Sequence, residues 1–96
     1  MVTDFNKNER QMSFNELKGV IHQIVDDEHY PHIILEIGHE KKRFVDIRVE
    51  KNKFNQIVEQ GYSVGQSVCI MFYINSKEKD GRWYTTANLI GIGIKK

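Results

Sequence analysis

From Phe14 onward the chain reads as strand. Leu17 to Val25 is rich in β-branched residues, and Gly19 inside it predicts a bulge or sharp bend that lets one strand serve two sheets. Asp26 to Pro31 is a turn-rich break. Ile33, Leu35 and Ile37 then alternate with His32, Ile34 and Glu36, the period of a half-buried strand. Gly38 to Lys42 turns the chain, and Arg43 to Val49 resumes the alternation with Val45, Ile47 and Val49 on one face and Phe44, Asp46 and Arg48 on the other. The period changes over Lys51 to Gln60, where Phe54, Ile57 and Val58 follow helical spacing and Gly61 stands at a C-terminal cap. After Gly65, Val68, Ile70, Phe72 and Ile74 alternate with Cys69, Met71, Tyr73 and Asn75 in a fourth strand. Asp80-Gly81 supplies the pair that tolerates the positive φ angles of a tight hairpin, and a fifth strand runs from Trp83 to about Ile94. Trp83 is in phase with Thr85, Ala87 and Leu89. That phase predicts an indole turned inward, plugging one end of the core, with Tyr84 on the opposite face.

The order β-β-β-α-β-β, in a chain under a hundred residues with a glycine bend in its first strand, predicts an all-β domain with one short helix: a five-stranded OB-fold β-barrel. An SH3-like barrel lacks the helix between strands three and four, and a ferredoxin-like fold needs a second helix. Closure also removes the sheet edges that such β-prone strands would otherwise expose. Residues 1–12 are polar, with no sustained apolar period, and are expected to form an N-terminal arm ahead of a barrel domain at 13–96.

Composition narrows the function. Of 96 residues, 40% are hydrophobic and 28% charged, as in ordinary globular domains. A domain this small favours a surface groove over a deep enclosed active site. One cysteine, Cys69, excludes an intrachain disulfide, and neither a leader nor a long apolar run is present, so a cytoplasmic location without membrane contact is expected. Of the four histidines, His29 and His32 are three apart, but neither flanks a helix or a Cys cluster and catalytic zinc needs three protein ligands, so no metal site is expected. Cys69 sits in mid-strand with nothing to suggest an oxyanion hole, and Gly91-Ile-Gly93 opens no helix. The expectation is a binding module, not an enzyme, and one without a cofactor.

Net charge is only +1, yet it is unevenly spread: residues 26–40 carry −5 and residues 41–54 carry +4. The plain reading of that asymmetry is solvated strand faces; the functional one is a basic stripe.

The stretch from Val64 to Thr85, with its Val64-Gly-Gln-Ser-Val68 opening and Asp80-Gly-Arg-Trp83 hairpin, resembles a family of short bacterial single-OB-fold proteins related to single-stranded DNA-binding proteins. Weaker support comes from Leu17 to Ile24. Gln66 stands where that family carries an acidic residue, and Ile90-Gly-Ile-Gly-Ile94 replaces a more aromatic ending. The resemblance implies the barrel more firmly than any activity, because OB barrels host unrelated functions. The chain lacks an acidic C-terminal tail, so partner recruitment by that route is not expected.

OB barrels bind on the outer face of strands two and three, between the loop joining strands one and two and the loop joining strands four and five. On this chain the stacking candidates are Tyr30, Phe44 and Tyr84, and the phosphate candidates are Lys42, Arg43, Arg48, Lys77, Lys79 and Arg82, with His32 beside Arg48. The expected partner is single-stranded DNA or RNA, and Phe44→Ala and Arg48→Ala are each expected to weaken binding. Asp26-Asp-Glu28 counts against phosphate contact at its end of the groove. The alternative is a protein-interaction module: a homodimer through the Cys69, Met71, Tyr73 row or the Leu89 to Ile94 strand, or a subunit of a larger complex. Phe44 would then pack against the partner or the arm. Carbohydrate binding is a third use of the fold.

Overall fold

The alternating segments form five strands and the helical segment one helix in a computed structural model that describes residues 14–94. The strands are β1 (Asn15–Val25), β2 (His32–Ile37), β3 (Arg43–Arg48), β4 (Ser67–Lys79) and β5 (Arg82–Ile94), with α1 (Lys51–Glu59) between β3 and β4. They close into a barrel in the order β1-β2-β3-β5-β4, the OB-fold architecture expected from the pattern. The arm expected at residues 1–12 lies outside the described residues.

Strand β1 serves two neighbours. Asn15 to Val20 pair with β4, and Val20 to Val25 pair with β2, so Val20 is bonded on both sides. The register slips between Ile21 and Gln23, which puts the bulge at His22 and not at Gly19. Gly19 has another role. A Cβ there would lie 2.6 Å from the Glu36 carbonyl oxygen and 2.9 Å from Ile37, so β2 crosses directly over it. Gly19→Ala is therefore expected to destabilise the barrel by about 1–3 kcal/mol, as overpacking against backbone does; a lowered urea midpoint with unchanged slope would show it.

Among the described residues, eleven apolar side chains make the core, including Ile21, Ile33, Leu35, Ile47, Val68, Ile70 and Phe72 from the strands and Phe54 and Ile57 from α1. Val58, expected on the same helical stripe, is instead about half exposed, since the stripe of so short a helix spans only Phe54 and Ile57. Gly61 caps the helix with φ 87°, its N–H donating to the Val58 carbonyl. Beyond its two-residue pairing with β3, β5 carries a bulge at Ile90. Lys53 Nζ donates to the Ile90 carbonyl at 2.8 Å, so the helix covers backbone that the ladder leaves open.

Trp83 corrects the expected barrel plug: it is 70% exposed. Its phase is nevertheless the inward one, since Ala87 and Leu89 on the same side face the core. Past Ala87, however, the β4–β5 hairpin runs beyond the barrel, and every residue from Ile74 to Thr85 is exposed. An inward phase reaches no core there. Asp80 and Gly81 turn the hairpin with φ 53° and 81°, and Gly81 N–H donates to Glu78 Oε2 at 2.9 Å.

Candidate functional site

A two-residue turn sets the register of the projecting hairpin: Lys79 opposes Arg82, Lys77 opposes Tyr84, Asn75 opposes Thr86 and Tyr73 opposes Asn88. Directly opposed residues share a face. The hairpin therefore has one basic, aromatic face carrying these eight residues, and another carrying Ile74, Ser76, Glu78, Trp83 and Thr85. Where β5 meets β3, Asn88 lies beside Arg48, and Arg48 in turn opposes His32 of β2. The basic face is thus continuous with the outer face of β2 and β3.

At the junction the Arg48 guanidinium lies 4.1 Å from the centre of the Tyr30 ring, a close cation–π contact. Tyr30 is held by its own loop. Asp27 Oδ1 accepts from the N–H groups of His29 at 2.8 Å and Tyr30 at 3.2 Å, and Val49 N–H donates to the Pro31 carbonyl at 2.8 Å. The two backbone donors hold the Asp27 carboxyl below the usual carboxylate range, so the turn that carries Tyr30 stays anchored by an anion.

Three concavities meet at this pair. The first, about 310 Å³, is lined by Asp27, His32, Asp46, Thr85 and Thr86 together with Tyr30 and Arg48. The second, about 520 Å³, extends from Tyr30 and Arg48 past Tyr73 and Asn88 to Lys51 and Lys53. The third, about 490 Å³, runs along the hairpin past Tyr73, Asn75, Lys77, Glu78, Lys79 and Tyr84. Tyr30, His32, Arg48, Lys77, Lys79 and Tyr84 from the sequence analysis therefore line one connected groove, with Arg82 on the same face nearer the hairpin tip.

The remaining candidates lie elsewhere. Phe44 is exposed on the same strand face but about 13 Å from Arg48 at the usual strand rise. It stacks at a tilt on His22, ring centres 4.7 Å apart, and Glu36 beside them draws His22 Nδ1 to 3.8 Å and Lys42 Nζ to 3.7 Å. Arg43 is in phase with Val45 and Ile47, on the opposite side of β3 from Phe44. The groove also takes in Asp46, Asn75, Thr86 and Asn88, which strand alternation alone does not single out, and Tyr73, expected in a dimer row; counting back from Asp80-Gly81 is the signal that places Tyr73 opposite Asn88. Among the described residues, no group of three metal-ligating side chains comes together.

No family model and no curated protein matches this sequence. Solved structures do resemble it. Rim1, a mitochondrial single-stranded DNA-binding protein from S. cerevisiae, superposes with a TM-score of 0.71 at 13% identity, covering 90% of this chain and 96% of its own. The dimeric N-terminal domain of PriB from Thermoanaerobacter tencongensis gives 0.59 at 18% identity, covering 86% and 96%. The second single-stranded DNA-binding protein of Mycobacterium smegmatis gives 0.55 at 13%, covering 86% of each chain. At these identities the likeness is one of fold, and the chain is an OB barrel of the form seen in single-stranded DNA-binding proteins.

Proposed function

We propose that this chain binds single-stranded nucleic acid, without catalysis, in the groove that runs from the Arg48–Tyr30 pair along the basic face of the hairpin. The observation that carries the reading is the Arg48 guanidinium lying over Tyr30 where the three concavities meet. A planar cation stacked on a ring presents a flat surface for a base, while Tyr73 and Tyr84 line the adjoining groove and Lys77 and Lys79 stand ready for phosphates. The structural neighbours named as single-stranded DNA-binding proteins agree with this use of the barrel.

Titration of a labelled oligothymidylate by fluorescence anisotropy at two salt concentrations tests it. With about three phosphate contacts, from Arg48, Lys77 and Lys79, the log–log salt slope is expected near −2, so raising salt fourfold weakens binding roughly twentyfold. No anisotropy change at low salt with micromolar protein would overturn the reading.

A further inference from the structure

The first concavity has walls that phosphate binding does not explain. Two carboxylates from different elements, Asp27 from the β1–β2 loop and Asp46 from β3, share it with Tyr30 and Arg48. Each is positioned through one oxygen. Asp27 Oδ1 accepts the two backbone N–H groups of its turn, and Asp46 Oδ1 meets His32 Nδ1 at 2.6 Å. Both side chains are exposed, and these contacts engage only the Oδ1 of each. An anionic oxygen held in place in a concavity repels phosphate and accepts N–H donors.

Charge is segregated across the Arg48–Tyr30 pair. Lys77 and Lys79 outnumber Glu78 in the hairpin concavity on one side, and the two aspartates lie on the other. A strand crossing the pair would place its backbone toward the lysines and one base edge toward the carboxylates. Guanine is the base whose Watson–Crick edge presents two adjacent donors, N1–H and the N2 amino group. Cytosine and adenine present one amino group each, and thymine and uracil one imino N–H between two carbonyls that carboxylates disfavour.

We propose that the Asp27–Asp46 concavity seats one unpaired guanine, whose N1–H and N2 amino group donate to the aspartates while its ring lies against the Arg48–Tyr30 pair. This rests on the single-strand reading above and adds a base preference to it. The acidic loop is then a reader of base edges within a groove that is otherwise basic.

The test compares three labelled oligomers of about twelve nucleotides, within the usual site size of one OB barrel. One is all thymine, one carries a single central guanine, and one carries hypoxanthine in its place, which keeps N1–H but lacks the N2 amino group. The guanine oligomer is expected to bind about tenfold more tightly than the all-thymine one, the scale of one good two-point base contact, with hypoxanthine between them. Asp46→Ala, an exposed position whose replacement leaves the core intact, is expected to abolish the preference while strengthening oligothymidylate binding by removing a negative charge. Equal affinity for thymine and guanine oligomers would overturn the guanine seat and leave single-strand binding standing. A guanine preference that survives Asp46→Ala would also overturn it. Failure of every oligomer to bind would overturn the single-strand reading, and the guanine seat with it.

Discussion

Arg48→Ala is expected to weaken binding of an oligothymidylate by about ten- to a hundredfold, with the thermal midpoint unchanged. The substitution removes a phosphate partner and also the plane that lies over Tyr30. A stacked base is worth about 1–3 kcal/mol by alanine substitution, which sets the range. The salt slope should become shallower by about 0.7, the share of one lost phosphate contact on a single strand. Stability should hold because Arg48 is exposed on the barrel face and lies outside the core cluster of the described residues. Phe44→Ala is the informative comparison. Phe44 packs with His22, Glu36 and Lys42 at the far end of the face, so its loss should cost much less than the loss of Arg48. An equal loss for the two variants would place the ligand path along the whole of β3 and not around the Arg48–Tyr30 junction.

The second large effect concerns stability. Leu35 is completely buried and packs in the central cluster, so Leu35→Ala is expected to destabilise the barrel by about 2–5 kcal/mol through lost burial and the cavity left behind. For a domain of this size that corresponds to a fall in Tm of at least about 10 °C. Trp83→Ala, the larger deletion, is expected to change stability by less than about 0.5 kcal/mol, as surface substitutions usually do. Its indole is 70% exposed on a hairpin that overhangs the core. The only tryptophan in the chain thus offers a direct check: its fluorescence maximum in the folded protein should already be that of a solvated indole and should barely move on unfolding. A blue-shifted native spectrum, or a Trp83→Ala variant as unstable as Leu35→Ala, would show that the hairpin folds back onto the barrel.

Much of the fold was legible because its signals are local. Strand alternation in β2 and β3, the helical spacing of Phe54 and Ile57 and the turn at Asp80-Gly81 each arise from steric preferences within a few residues. Gly19 showed that β1 must do something unusual. That the bulge itself falls at His22, while Gly19 makes room for the Glu36 carbonyl, depends on how closely β2 crosses β1, which no local pattern encodes. The lining of the candidate groove was legible in part for the same reason. Tyr30, Arg48, Lys77 and Tyr84 were named from loop and strand position, yet nothing in their spacing says that they meet and that Phe44 and Arg43 do not join them.

By itself the sequence determined the number, type and order of elements, the face each residue of β2 and β3 takes and the turn that registers β4 against β5, because these follow from backbone sterics and a period of two. Only the tertiary structure decided where the core ends along β4 and β5, and so that the inward-phased Trp83 is solvated, since burial depends on what lies opposite a residue and not on its phase. It alone set β5 beside β3 at Ala87 and Asn88, a parallel contact between strands some forty residues apart in the chain. That contact closes the barrel, brings the basic face of the hairpin against Arg48 and Tyr30, and makes one groove of residues that the sequence left on separate strands.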